Sequence, residues 1–304
     1  MAPPDSGADA RPRSRRAWKA ALFDLERAAP STRAYESAIK LCGRAGEVET
    51  ALSLLRQMSA RDGLAPTVFA YNSASAACSR AGRWEQAVSL LAEMGSAGIR
   101  WDGFSYATAI SAYGKGGRWE RSLSLLTEME RDAYPNAVSP NVVCFGAAID
   151  ACSRVGLWRE SLDLLGRMRE RGVPPSTFCY NSAIAACDKG GQAVRALMLI
   201  NEMRSRGGEA EPDVISYSTA ISACSRVTTH WKQSLRLMRR MQEARIRPNV
   251  YTFAGGAGWG GCGAGRGGMG WGGCGAGRGG AGWGGCGAGR GGVGWGGGGA
   301  GRGG

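Results

Sequence analysis

The sequence predicts an all-α, superhelical solenoid in which antiparallel helical hairpins stack in a row. This prediction follows from two residue series that repeat with nearly one period along the 304-residue chain. The aromatic series recurs at intervals of 36, 35, 39, 35 and 37 residues, at Tyr35, Tyr71, Tyr106, Phe145, Tyr180 and Tyr217. The methionine series recurs at intervals of 36, 35, 39, 35 and 38 residues, at Met58, Met94, Met129, Met168, Met203 and Met241. A repeat of about 35 residues is typical of helical solenoids, whose units contact only their neighbours.

The two series divide most of the chain into six units, with helical signals before and after them. The units are expected at residues 32–67, 68–102, 103–141, 142–176, 177–213 and 214–249, and a seventh begins at 250–254. Residues 15–30 match the second helix of an earlier unit, because Trp18 begins an apolar series there as Trp84 does in the second unit. Residues 1–14 are expected to be disordered or the remnant of a targeting segment.

Each unit has the pattern of two amphipathic helices. In the fifth unit, Tyr180, Ala183, Ile184 and Cys187 have the i, i+3, i+4, i+7 spacing of one helix face. A second apolar series follows a glycine-containing break, and a glycine or proline turn such as residues 172–175 closes the unit. Because a lone hairpin of this size cannot cover its apolar face, successive units must stack into one continuous core.

The last sixth of the chain has a different composition. Residues 254–304 contain 31 of the 50 glycines and repeat every 12 residues from Gly258 onwards, with Trp259, Trp271, Trp283 and Trp295 in equivalent places. So much glycine cannot bury enough apolar surface to order the backbone, so residues 255–304 are expected to be a disordered, low-complexity tail. Its Arg-Gly-Gly units resemble segments that bind RNA without sequence preference, while the regular 12-residue period equally fits a translated minisatellite or a misread gene model.

Composition narrows the classes of function. A formal charge of +13 favours an anionic partner, either nucleic acid or an acidic membrane surface. His230 is the single histidine, and no Cys-x-x-Cys spacing occurs, so we expect no enzyme, no metal site and no cofactor. No apolar run approaches 18 residues, and the N-terminus lacks the apolar stretch of a secretory signal. Five cysteines occupy one place on the apolar face of the first helices and are expected to be buried free thiols: Cys42, Cys78, Cys152, Cys187 and Cys224.

The motifs within the repeat resemble those of the pentatricopeptide repeat family. The block Tyr-Asn-Ser-Ala occurs at residues 71–74 and 180–183, and Leu-Leu-x-x-Met occurs at residues 54–58 and 90–94. Tetratricopeptide repeats, the nearest rival, lack the closing proline junctions seen at Pro66, Pro140 and Pro248. The resemblance covers residues 32–249 and implies a solenoid that binds single-stranded RNA, one nucleotide per repeat, with no chemistry of its own.

In this family the residue after the aromatic and the last residue of the unit together read one base. We call these two residues a base-reading pair. The pairs are Glu36 with Thr67, Asn72 with Asp102, Ala107 with Asn141, Gly146 with Ser176, Asn181 with Asp213, and Ser218 with Asn249. The two Asn–Asp pairs resemble uridine readers and the Ser–Asn pair resembles an adenosine reader, which implies the motif x-U-x-x-U-A. Three specified bases give weak specificity, so tight binding is expected to need additional repeats, a protein partner or the glycine-rich tail.

The second residue of each unit stacks on a base in this family. Here that position, called the wedge, is Arg33 in the first unit and is apolar in the other five, at Phe69, Phe104, Val143, Phe178 and Ile215. Stacking is favoured for the phenylalanines, while Val143 and Ile215 fit stacking and packing on their own helix about equally.

A cation stands nine residues after each aromatic marker, and we call the set the basic ladder. Its members are Arg44, Arg80, Lys115, Arg154, Lys189 and Arg226. Stacked units would align these cations along one edge, as a phosphate backbone requires. The alternative explanation is that a Lys or Arg is favoured at this place by the dipole at the C-terminal end of a helix.

These observations predict a sequence-selective, single-stranded RNA-binding protein of organellar RNA metabolism, where the family stabilises, processes, splices or helps translate transcripts. A helical-repeat scaffold for protein–protein interaction is the alternative, because solenoid grooves also bind peptides. Neither a membrane nor a small-molecule substrate is expected as a partner. The family's habit points to the mitochondrion or the plastid.

Overall fold

The computed structural model describes residues 10–27, 31–60, 63–131, 138–226 and 231–256, and these residues form α-helices joined by short connections. In chain order the helices are α1 (Ala10–Arg27), α2 (Thr32–Ala45), α3 (Val48–Ala60), α4 (Val68–Arg80), α5 (Trp84–Ser96), α6 (Gly103–Lys115), α7 (Trp119–Arg131), α8 (Val142–Val155), α9 (Trp158–Glu170), α10 (Thr177–Lys189), α11 (Ala193–Arg206), α12 (Val214–Ser225), α13 (Trp231–Glu243) and α14 (Val250–Gly256). A short 3₁₀ turn at Gly208–Ala210 lies between α11 and α12. His230 and most of the glycine-rich tail lie outside the described residues.

The helices pack as a row of hairpins. The first helices α2, α4, α6, α8, α10, α12 and α14 each contact the next first helix and so form one continuous layer. The second helices from α3 to α11 contact the first helix of their own hairpin and the first helix of the next one. This local, repeating pattern of contacts confirms the predicted all-α solenoid.

The last residue of a unit starts the next first helix. Thr67, Asp102, Asn141, Ser176 and Asp213 are the N-cap residues of α4, α6, α8, α10 and α12. Their short polar side chains suit this position because they can accept hydrogen bonds from backbone N–H groups that have no partner inside the helix. The same residues are members of the base-reading pairs, so the helix starts fix where those side chains lie.

Glycines allow close contacts between successive hairpins. The ring of Trp84, at the start of α5, lies against the end of α6, where a Cβ on Gly116 would come within 2.4 Å of it. Trp158 and Gly190 repeat this contact two units later, also at 2.4 Å. A larger residue at either glycine would have to displace the tryptophan.

The repeated residues form the core, as the periodicity predicts. The methionine series is buried throughout, and the aromatic series is buried except for the half-buried Tyr106. The five predicted cysteines are buried free thiols, together with Cys144 and Cys179. Burial raises the pKa of Cys152 to about 12, so this thiol stays protonated at neutral pH.

The two terminal helices differ from the predicted boundaries. Helix α1 begins at Ala10, inside the segment expected to be disordered. Its first residues are strong helix formers, and Pro12 falls in the first turn, where proline is tolerated. Helix α14 continues through Gly256, two residues beyond the segment predicted to begin the seventh unit. None of the helices in the described ranges has the length and apolar character needed to cross a membrane.

Candidate nucleic-acid interface

Both Asn–Asp pairs are joined by a hydrogen bond between neighbouring first helices. Asn72 Nδ2 donates to Asp102 Oδ1 at 3.0 Å, although the two residues are 30 positions apart. In the fifth unit, Asn181 Nδ2 donates to Asp213 Oδ1 at 3.1 Å. The contact exists because the carboxylate caps one first helix while the amide lies on the preceding first helix, which packs against it.

Two further pairs are also in contact. Ser218 Oγ donates to Asn249 Oδ1 at 3.5 Å, and the hydroxyl of Thr67 donates to the carboxylate of Glu36. Four of the six predicted pairs therefore bring two polar side chains together at the same edge of the layer of first helices.

The third and fourth pairs do not form such a contact. Ala107 offers no polar group, and Asn141 Oδ1 accepts from the backbone N–H groups of Val143 and Cys144, at 3.0 and 3.1 Å. At Gly146 a Cβ would lie 3.1 Å from the ring of Phe178, which leaves little space for a side chain. These positions fit the absence of a predicted base in the third and fourth units.

The apolar wedge residues remain largely exposed. Their exposed fractions are 44% for Phe69, 53% for Phe104, 56% for Val143, 56% for Phe178 and 59% for Ile215. Rows of exposed apolar side chains mark interaction surfaces more often than single ones do. Burial in the core therefore does not account for the wedge, although Lys40 Nζ lies 5.4 Å from the centroid of the Phe69 ring.

The wedge and the ladder cation lie on one face of each first helix. They are 11 residues apart in every unit, as in Phe104 and Lys115. Eleven residues are within about 20° of three full turns and rise by about 16 Å along the axis. The two lysines of the ladder extend sideways, because Lys115 Nζ bonds to the carbonyl of Ser79 and Lys189 Nζ to that of Arg154, each at the end of the preceding first helix. In the second to sixth units an apolar side chain and a cation thus lie along one line of the first helix.

The ladder cations are exposed, and in the first half Lys115 Nζ donates to the backbone carbonyl and the hydroxyl of Ser79, at 2.9 and 3.2 Å. The pKa of Arg80 is lowered by desolvation and then by Arg44. The pKa of Lys115 is lowered by desolvation and then by Arg154 and Arg80, which outweigh the opposite effect of Asp150. Among the ion pairs of the described residues, none joins Arg44, Arg80 or Lys115 to a carboxylate.

The second half of the ladder has carboxylate partners. Arg154 pairs with Asp150 at 2.9 Å, and Arg226 pairs with Asp188 at 3.1 Å. Lys189 Nζ donates to the backbone carbonyl of Arg154 at 3.0 Å, which caps the end of α8 as the helix-dipole explanation predicts. The charge available to an anion is therefore greater in the first half of the ladder.

Sequence patterns alone missed several residues at this edge. Tyr251 is the second residue of α14 and is 78% exposed, so it holds the wedge position of the seventh unit. Asp150 and Asp188 neutralise ladder cations, and an acid placed four residues before Arg154 is the signal that could have revealed the first of them.

The repeat also matches known family models. A model described as the pentacotripeptide-repeat region of PRORP matches residues 4–142, and the PPR repeat family model matches residues 140–189 and 175–226. The chain belongs to the pentatricopeptide repeat family. Together these matches include both members of every base-reading pair except the sixth, of which they include Ser218 but not Asn249.

Solved pentatricopeptide repeat structures share the fold. The crystal structure of PPR10 from maize is 28% identical, with a TM-score of 0.59, and the match covers 80% of this chain and 34% of that one. The structure of PPR10 in complex with an 18-nt psaJ RNA element is 24% identical, with a TM-score of 0.51, covering 80% of this chain and 39% of that one. The chain thus spans a little over a third of those proteins. No curated protein sequence matches it.

Proposed function

We propose that this pentatricopeptide repeat protein binds single-stranded RNA with sequence selectivity and acts in the metabolism of organellar transcripts, in mitochondria or plastids. One observation carries the proposal: five successive first helices each hold a half-exposed apolar residue at the same register, and in three of them a polar base-reading pair in contact accompanies it. Neither feature is needed for the core. Both are what a row of unstacked bases would require.

The chemistry of each unit suits one nucleotide. A base can stack on the wedge side chain, since base–aromatic stacking contributes about 1–3 kcal/mol. The polar pair then meets the Watson–Crick edge of the base, and the ladder cation contacts the phosphate. The chain would specify uridine at the second and fifth sites and adenosine at the sixth.

The maize relative supports the proposal, because PPR10 is the protein solved in complex with an 18-nt RNA element. No catalytic step is part of the proposed function: the chain would act by occupying its RNA.

Binding by the full-length chain tests the proposal. The probe is a fluorescein-labelled RNA that carries C-U-C-C-U-A, measured by anisotropy against DNA of the same sequence and against the duplex RNA. We expect the single-stranded RNA to bind most tightly. The Phe104→Ala, Phe178→Ala double variant should weaken binding by about tenfold or more, since it removes two stacking surfaces.

A matched control removes exposed apolar groups elsewhere. The Val194→Ala, Met198→Ala double variant alters α11, a second helix, at residues that are 49% and 62% exposed. It should bind RNA like the unaltered chain. Equal losses in the two double variants would contradict base stacking at the wedge, and no binding to any RNA would favour a protein-interaction scaffold.

A further inference from the structure

Each informative base-reading pair has a third partner. Ser105 Oγ lies 2.8 Å from Asn72 Oδ1 and 2.8 Å from Asp102 Oδ1, and it accepts from the Asp102 N–H at 3.2 Å. Ser216 makes the same contacts in the fifth pair, at 2.5 Å from Asn181 Oδ1 and 3.0 Å from Asp213 Oδ1. In the sixth pair, Thr252 Oγ1 lies 2.7 Å from Ser218 Oγ and 3.0 Å from Asn249 Oδ1.

These three residues occupy one register, the third residue of the following first helix. Only the pairs that are assigned a base have a hydroxyl there. The first, third and fourth pairs have Ala70, Cys144 and Cys179 at the equivalent place. Helix capping alone does not require a hydroxyl at the third residue, because Thr67 and Asn141 cap α4 and α8, whose third residues carry none. Capping therefore does not explain why the hydroxyl occurs only at the pairs that are assigned a base.

The hydroxyl and the carboxylate together fix the amide. Asp102 is ionised at neutral pH: desolvation acts to raise its pKa, but hydrogen bonds from Ser105 and Asn72 lower it overall. A carboxylate accepts and cannot donate, so it favours the orientation in which the amide nitrogen of Asn72 faces Asp102. The oxygen then faces the hydroxyl of Ser105. Turning the amide over would place two oxygen acceptors against each other, which costs free energy in this part-buried contact.

We infer that Ser105, Ser216 and Thr252 are positioning residues that hold the base-reading side chains in one orientation and so set which base each unit accepts. Asn72 is only 4% exposed and Ser105 is fully buried, whereas Asp102 is exposed. The incoming base would therefore meet the carboxylate and the edge of an amide that is already oriented. An amide free to turn would present donor and acceptor interchangeably and discriminate less between uridine and cytidine. The inference rests on the proposed function.

The test compares two variants that control for each other. Ser105→Ala and Ser216→Ala are made in the full-length chain, and anisotropy gives Kd for C-U-C-C-U-A and for RNAs with cytidine at the second or fifth site. Ser105→Ala should lower the preference for uridine at the second site by about two- to tenfold and leave the fifth site unchanged. Ser216→Ala should do the reverse. Ser105→Thr keeps the hydroxyl and should restore the preference.

A purely structural role predicts a different pattern. Loss of the cap alone would lower affinity for all three RNAs by the same factor, and that result would overturn the inference. Cys179→Ser adds a hydroxyl beside Gly146, where no amide is present, and should change no preference. If the unaltered chain itself shows no preference for uridine at either site, both the base-reading function and the positioning role are contradicted. If that preference exists and survives Ser105→Ala, only the positioning role fails.

Discussion

Exchanging the fifth base-reading pair for the sixth tests the link between side chain and base most sharply. The perturbation is the double variant Asn181→Ser, Asp213→Asn, which copies Ser218 and Asn249 into the fifth unit. The chain already holds that arrangement, since Ser218 lies 3.5 Å from Asn249 and Asn249 Oδ1 accepts from the Thr252 N–H at 3.0 Å.

The fold should tolerate the exchange. Asp213 caps α12 by accepting from the Ser216 N–H at 2.8 Å, and asparagine is as good an N-cap residue as aspartate. We therefore expect the free energy of unfolding to change by less than about 1 kcal/mol. A good side-chain contact to a base edge contributes about 1–3 kcal/mol of discrimination, which corresponds to about 5- to 150-fold in Kd.

The assay measures Kd for RNAs with uridine or adenosine at the fifth site. The unaltered chain should prefer uridine there and the double variant should prefer adenosine, while the uridine preference at the second site, set by Asn72 and Asp102, stays as it was. A double variant that folds, binds RNA and still prefers uridine at the fifth site would refute the reasoning.

Two further predictions follow from charge and burial. Asp188→Asn should release Arg226 for phosphate and steepen the plot of log Kd against log salt by up to about 0.7, whereas Asp163→Asn on α9 should leave the slope unchanged; a slope that Asp188→Asn does not alter would show that Arg226 makes no phosphate contact. The pKa of Cys152 is raised from 9.0 to about 12 by burial. The contribution of this protonated thiol to the free energy of unfolding is therefore complete below pH 9 and is lost as the pH rises toward 12. Urea titrations should give an unfolding free energy that falls with pH over this range, less steeply for Cys152→Ala by up to about 1.4 kcal/mol per pH unit; equal slopes would contradict burial of this thiol.

The fold was predictable because its contacts are local. The aromatic and methionine series report one period, and a hairpin repeated at that period has to stack on its neighbours. The family resemblance then placed Asn72 with Asp102 and Asn181 with Asp213, and the hydrogen bonds at 3.0 and 3.1 Å show that each couple is adjacent. The roles assigned to these residues stay predictions.

Contacts between units were harder to predict. The ion pair of Asp188 with Arg226 joins residues 38 positions apart, and only the packing of α10 against α12 brings them together. Ser105 on α6 likewise contacts Asn72 on the neighbouring first helix, α4. A serine three residues after an aspartate predicts a helix cap, but no local pattern shows that the same hydroxyl also meets an amide of the preceding unit.

The most direct test of the central claim is a binding selection with the full-length chain and a randomised single-stranded RNA pool at two salt concentrations, with single-stranded DNA and duplex RNA as competitors. Our account predicts enrichment of uridine at the second and fifth sites and adenosine at the sixth, with RNA retained over both competitors. Binding that is equal for every polymer and enriches no base would contradict it.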